Sequence, residues 1–414
     1  MIPKAEVLAV AEETGLLPTT VEKDYALGWV LFAIADHAMI GRWYYKGGTC
    51  LKKCYLDTYR FSEDLDFTIP ADVPYDAESL RRGLLDLAGW VRDRAGIEFP
   101  ADSVHLEESV NKHGQVTWDA RMTFVGPLQL ARAQRQRIRF DLTRHEIVVD
   151  PPETREVFHG YSDVPQPLPR VRCYTLREIL AEKIRALFER SGRARDVYDV
   201  VNVARNLRAE LSPGEIRGLA SRKFEFKKLD PPSPDLILAR VDREVLGTDW
   251  ENALRHQLSV LPPAAEFLAA LREILEWLLG VAAPAPALAS VPAKKDEILV
   301  PPVRFARPFA APSPRLRLAA GAGTWPQLVY GSKLDRVRYA ARNRLLARVT
   351  YHGVTRVVEP YSLRMPETGN LLLYVFEVER GLRAGEGIKS FKVAELGDVE
   401  VTDRPYRERF LVEL

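Results

Sequence analysis

Two aspartates one residue apart, Asp64 and Asp66, come a short way after a diglycine bend, Gly47-Gly48, and this pairing is the most chemically informative feature of the chain. The segment Leu65-Asp66-Phe67-Thr68-Ile69 is rich in β-branched and aromatic residues and reads as a strand. Residues two apart on a strand share a face, so both carboxylates can address one hard cation while Leu65 and Phe67 turn inward. Gly47 and Gly48 close a strand expected over 42–46, and Thr49 stands where a helix begins, its hydroxyl expected as the N-cap. Glycines leave the main chain open, and unpartnered N–H groups at a helix start favour phosphate, so a triphosphate has a place to lie against Gly47, Gly48 and Thr49. A phosphate cradle beside a metal-binding pair implies phosphoryl or nucleotidyl transfer. The bland alternative is an ordinary turn followed by a solvated strand end. Order and separation carry the reading, since each half alone recurs in many folds.

Other residues extend the pattern. Asp141, between Phe140 and Leu142 at strand period, is the candidate third carboxylate, with a plain surface aspartate as the open alternative. Arg60 and Ser62, on the approach to the acidic strand, are expected to contact phosphate or substrate. Lys52, one turn past Thr49, either reaches the same phosphates or lies on a solvated helix face. Lys183 flanks an apolar stripe of Ile179, Leu180, Ile184 and Leu187, which favours a site lysine. Asp196 and Asp199 share a helix face. Transfer from an NTP needs charge neutralisation and in-line positioning, which Mg2+ held by Asp64, Asp66 and Asp141 would supply.

The elements that must position these groups follow from periodicity. The first two-thirds of the chain read as mixed α/β (α+β): helices over 21–34 and 74–94, strand-like alternation over 104–150, then helices over 176–190, 196–207, 213–224, 234–245 and 264–279. A Pro/Ala-rich stretch follows, read as a linker over 282–325, with wrapping around a neighbouring domain left open. A short helix over 334–343 and then strands suit a small β-barrel, with His352-Gly353 as a hairpin turn. The expected division is 1–175, 176–281, the linker, and 326–414. At 414 residues, with 46% hydrophobic and 28% charged residues, the composition is that of an ordinary globular protein. Lys and Arg number 59 against 57 Asp and Glu, so only local charge bears on a nucleic-acid partner. Two local sets do: Arg132, Arg135, Arg137 and Arg139, and Arg336, Arg338, Arg342, Arg344 and Arg348 with Tyr339. Glu6, Glu12 and Glu13 interrupt the apolar start and no later run would span a bilayer, so cytoplasmic residence is expected. Three cysteines make no disulfide framework; Cys50 and Cys54, four apart, are expected to be packing residues rather than zinc ligands. The seven His residues show no metal or triad spacing.

The run Gly47-Gly48-Thr49, Leu51-Lys52 and Arg60-Phe61-Ser62-Glu63-Asp64-Leu65-Asp66 resembles the AbiEii/AbiGii toxin family. So do Val21-Glu22-Lys23-Asp24-Tyr25, Glu182-Lys183-Ile184-Arg185-Ala186-Leu187 and Arg195-Asp196-Val197-Tyr198-Asp199, in the shared order. The resemblance implies a Mg2+-dependent nucleotidyltransferase with a polymerase-beta-like core and a helical subdomain. It also implies Lys183 as the essential lysine, with Asp196 or Asp199 as its partner. Glu22, Lys23 and Asp24 would brace the core or share in catalysis. The family further implies a cognate antitoxin, a role in toxin–antitoxin or phage-defence systems by abortive infection, and an RNA acceptor such as a tRNA 3′ end. A protein hydroxyl as acceptor, or a ligand-sensing regulatory protein, are the competing readings. Val358-Glu359-Pro360-Tyr361-Ser362-Leu363-Arg364, Leu373-Tyr374-Val375 and Ile388-Lys389-Ser390-Phe391-Lys392-Val393 resemble a WYL domain, which implies a nucleic acid or small ligand there. Leu373 in place of Trp, and Ala394-Glu395-Leu396 in place of Asp-Arg-Ile, depart from that pattern.

Overall fold

The acidic strand lies in the middle of a seven-stranded sheet, between a parallel and an antiparallel neighbour. The computed structural model describes residues 1–56, 60–110, 114–280, 288–294, 296–300, 333–366, 369–381 and 383–414. Two compact units divide the chain, the first being Met1–Val200, Leu211–Ser259 and Leu278–Gly280.

The first unit opens with α1 (Lys4–Thr14) and α2 (Pro18–Asp36). Pro18 suits a first helical turn, where an N–H would be unpartnered anyway. From Val21 to Ile34 every residue of α2 is buried, its charged ones included, so the helix is an internal strut. β1 (Tyr44–Lys46) runs into α3 (Gly47–Cys50), a single turn continued as a π-turn over Leu51–Tyr55. Then come β2 (Asp64–Thr68) and α4 (Ala77–Ala95), capped by Asp76, which accepts from the Ser79 N–H, and buried along Leu80, Leu84, Leu87 and Val91. β3 (His105–Val110), β4 (Val116–Thr123), β5 (Arg137–Thr143), β6 (Glu153–Glu156) and β7 (Arg170–Cys173) complete a sheet ordered β3-β4-β5-β2-β1-β7-β6. Within it β2–β5 and β1–β7 pair in parallel, and the other neighbouring strands run antiparallel.

Helices follow: α5 (Leu176–Glu189), α6 (Ala194–Asn206), α7 (Pro213–Phe226), α8 (Pro234–Leu238), α9 (Arg243–Leu254) and α10 (Ala264–Leu278). The single helix expected over 234–245 is two, because Asp242 accepts from the N–H groups of Glu244 and Val245 and so starts a new helix. α6 leaves the first unit after Val200, and α10 belongs to the second up to Trp277.

The second unit, Val201–Glu210, Val260–Trp277 and 281–414, holds β8 (Glu297–Val300), α11 (Lys333–Asn343), β9 (Leu345–Tyr351), β10 (Val354–Pro366), β11 (Leu372–Arg380), β12 (Arg383–Lys392) and β13 (Leu396–Pro405). They form an antiparallel sheet ordered β12-β11-β10-β9-β13, with β8 on β10. Register shifts at Val357/Val358, Pro360/Ser362 and Glu377/Glu379 curl it into a half-barrel. Leu334, Val337 and Ala340 of α11 pack with Val349, Val358, Leu373 and Phe391 as its core. His352 and Gly353 both take positive φ, 51° and 74°, as the expected hairpin turn requires. Of the Pro/Ala-rich stretch read as a linker over 282–325, residues 282–287, 295 and 301–325 lie outside the described residues.

One expectation about this unit is corrected. Arg338, Arg342 and Arg344 are buried, at 2%, 7% and 6% exposure, and form no surface patch for nucleic acid. They bond inward: Arg338 pairs with Asp335, Arg342 donates to the Leu414 carbonyl, and Arg344 pairs with Glu408. Tyr339, also buried, donates to the Val260 carbonyl. Among the described residues no helix is long and apolar enough to cross a membrane.

Candidate active site

Strand register alone assembles a row of charges across the first sheet. Lys46 of β1 faces Asp66 of β2, Asp66 faces Asp141 of β5, and Asp141 faces Asp119 of β4. Opposed residues in a sheet present their side chains on one face, with strands about 4.8 Å apart. Leu65 and Phe67, and Phe140 and Leu142, are buried on the other face, as the alternation demands. Asp64, two residues before Asp66, joins the same face opposite Arg139.

The diglycine bend meets this row. Gly47 follows Lys46 directly and has φ of 79°, and a Cβ there would stand 2.1 Å from Oδ2 of Asp66. A Cβ on Gly48 would stand 2.4 Å from an Arg60 nitrogen and 3.4 Å from the Ser62 hydroxyl oxygen. Both glycines are therefore needed for the close approach of backbone to acidic strand, beyond any turn requirement. Gly47→Ala should cost about 1–2 kcal/mol from the left-handed backbone alone and displace the Asp66 carboxylate; thermal unfolding checks it.

Thr49 is not the N-cap. α3 starts at Gly47 with Lys46 in the capping position, and no side chain caps it. The Thr49 hydroxyl instead lies 2.7 Å from the Ser62 hydroxyl and donates to the Asp64 carbonyl, stitching the helix to the start of β2. Lys52 is buried, neither solvated nor on the open face, with its ammonium 4.7 Å from the Phe61 ring centre.

Behind the row stands a buried ionic network. Arg60 grips Asp199 with two parallel bonds of 2.8 and 2.9 Å, and donates to Oε1 of Gln257 at 2.8 Å. Lys183 of α5 bonds both Asp196 and Asp199 at 2.9 Å. Sequence spacing left open which aspartate partners Lys183; the structure uses both, and Asp199 carries Arg60 as well. Lys46 pairs with Glu182 at 3.2 Å, which ties the end of β1 to α5. The Glu22-Lys23-Asp24 segment braces: Glu22 accepts from the Leu128 N–H at 2.7 Å, Lys23 pairs with Glu63 at 3.0 Å, and Asp24 pairs with buried Lys53 at 2.8 Å.

The electrostatics follow. Burial, then the neighbouring Asp141 charge, push Asp66 up to about 7, against the pull of Lys46 and Lys183. Asp141 is more open to water, yet desolvation raises it too, with Asp119 and Asp64 adding to the effect against Lys46. Burial works to lower Lys183, but Asp196 and Asp199 outweigh it and hold the ammonium charged. Desolvation would raise Glu182, yet Lys46 first, then Lys223 and Arg185, hold it down at about 2. Carboxylate oxygens on one face are the kind of donor a hard divalent ion takes, and Asp64, Asp66 and Asp141 offer them. Asp119 was missed by sequence reasoning: its strand alternation set its face, but only pairing of β4 with β5 brings it to the row.

The sequence profile described as nucleotidyl transferase AbiEii toxin, type IV TA system, matches residues 29–277. The chain belongs to this family. It is accordingly a nucleotidyltransferase toxin of the type IV toxin–antitoxin class, with the fold of that group. The matched span contains the diglycine bend, the acidic row and the Lys183 network, and stops short of the half-barrel. Among solved structures, MenT4, a nucleotidyltransferase toxin from Mycobacterium tuberculosis H37Rv, is similar over 68% of this chain and 91% of its own, at 21% identity and a TM-score of 0.47. Among curated proteins no match is found.

Proposed function

We propose that this AbiEii-family chain transfers a nucleotidyl group from an NTP, with Mg2+, to the hydroxyl of an RNA acceptor, foremost a tRNA 3′ end, and that a cognate antitoxin restrains it in a phage-defence setting. The observation that carries the chemistry is the register row Lys46–Asp66–Asp141 beside the Gly47–Gly48 bend. Mg2+ held by Asp64, Asp66 and Asp141 would neutralise the triphosphate and orient it. Gly47 and Gly48 let the phosphates approach the main chain. Lys183, kept charged by its two aspartates, offsets the charge that builds up as pyrophosphate leaves. The acceptor oxygen bonds to the α-phosphorus, the α–β bridging P–O bond breaks, and the hydroxyl proton passes to the acidic row. Arg60, bonded on both sides and buried, positions Asp199 and Gly48 in this reading rather than touching substrate. Support for RNA comes from β5, where Arg137 and Arg139 alternate with buried residues and stand exposed on the same face as Asp141, with Arg132 exposed just before.

The C-terminal half-barrel is read as WYL-like on its sequence pattern. Glu359, Tyr406 and Arg409 line a groove there that would take a small ligand or a nucleotide. Incubating the protein with each labelled NTP, Mg2+ and total tRNA tests the main reading. Label on tRNA that disappears with chelator is expected. Label on a protein partner instead would overturn the RNA acceptor, and no label on any acceptor would overturn the transfer itself.

A further inference from the structure

All three cysteines of the chain, Cys50, Cys54 and Cys173, meet at one buried point. Their sulfurs lie within 4.8 Å of one another, and among the described residues no other three His, Cys, Asp or Glu ligand atoms gather so tightly, the acidic row included. Spacing alone made Cys50 and Cys54 packing residues, because nothing near them in sequence completes a ligand set. Cys173 supplies it from β7, brought in as the register partner of Tyr45 on β1. Cys50 and Cys54 follow β1 directly, on the turns that begin at Gly47.

A cation with metal–sulfur bonds of about 2.3 Å in a trigonal plane sets its three sulfurs about 4 Å apart, inside the observed limit. The surroundings are also suited to thiolate. Arg155 is fixed by a 2.9 Å bond to the Cys54 carbonyl and lies 4.3 Å over the Tyr55 ring. A small apolar pocket could be filled by alanine or valine; three sulfurs converging from two distant segments add a donor set that packing does not call for.

We propose that Cys50, Cys54 and Cys173 form a buried three-thiolate site for a thiophilic d10 cation, either Cu(I) or Zn(II), which pins the helical turn after the diglycine bend to β7. The three thiols give up their protons to solvent as the metal–sulfur bonds form. No electron changes hands. Cu(I) suits the three sulfurs alone, whereas Zn(II) prefers a fourth ligand, and the nearby Tyr55 hydroxyl already bonds to Glu153 and the Tyr174 carbonyl.

The test uses the full-length protein, reduced, stripped with chelator under denaturant and refolded with Cd2+, Zn2+ or chelated Cu(I), because the buried sulfurs load as the chain closes. Expected are one bound metal per chain by native mass, a thiolate-to-Cd2+ absorption band saturating at one equivalent, and release of protons as the thiols ionise. The band is lost in Cys54→Ser. Refolded wild-type protein of native mass carrying none of the three metals overturns the site, as does a Cd2+ band that persists in Cys54→Ser. Native mass of the wild-type protein decides the matter even if the Cys54→Ser variant fails to fold.

Discussion

Asp66→Asn should cut nucleotidyl transfer roughly 100-fold or more while leaving the protein at least as stable as the wild type without metal. The two effects share a cause. Asp66 sits among Asp64 and Asp141 with its carboxyl pushed up to about 7, so its ionised form is disfavoured in the fold. For an acid raised above its unfolded value the sign is fixed: the folded state holds the proton more tightly, so stability falls as pH climbs from about 4 to about 7 and then levels. Asparagine removes that dependence along with the charge. Mg2+ reverses the balance, because it binds the ionised form that the fold alone disfavours. In the wild type the apparent Mg2+ affinity should therefore rise with pH up to about 7, by up to tenfold per unit, and Mg2+ should raise the melting temperature at pH 8. In Asp66→Asn both responses should vanish. Transfer within a few-fold of wild type, or an undiminished Mg2+ response, would remove Asp66 from the chemistry.

Much of this site was legible in the sequence because its signals are local. Alternation placed Asp64, Asp66 and Asp141 on the open side of their strands, and the diglycine bend announced a close backbone approach. The helical stripe around Lys183 marked it as other than a solvated lysine. What stayed hidden depends on partners distant in sequence. Arg60 reads as a phosphate ligand by type, yet its fork is taken by Asp199, 139 residues away. Lys46 read only as the end of a strand, and its place beside Asp66 needs the β1–β2 register. Asp119 needed the pairing of β4 with β5. Arg338, Arg342 and Arg344 looked like part of a surface patch because composition carries no burial; Glu408 and the Leu414 carbonyl claim Arg344 and Arg342.

The largest effect on stability should come from Asp199→Ala. Asp199 is fully buried and bonds both Arg60 and Lys183, joining β2's approach to α5 and α6. Removing it takes the carboxylate from a guanidinium that is 2% exposed, and breaking a buried pair from one side costs about 3–5 kcal/mol. A melting temperature lower by on the order of 10 °C is the expected reading. Lys183→Met separates this structural role from a chemical one. It leaves Asp199 still paired by both Arg60 bonds and Asp196 within 3.9 Å of Arg190, so no anion is stranded. Lys183→Met should therefore lose less stability than Asp199→Ala but as much transfer, with the loss in kcat rather than in the Mg2+ response. If Asp199→Ala unfolds like the wild type, the network is not what holds the acidic row to the helices. If Lys183→Met keeps its kcat, the ammonium serves only to neutralise Asp196 and Asp199, and the charge of the leaving pyrophosphate must be met by the cation and the backbone of Gly47 and Gly48 alone.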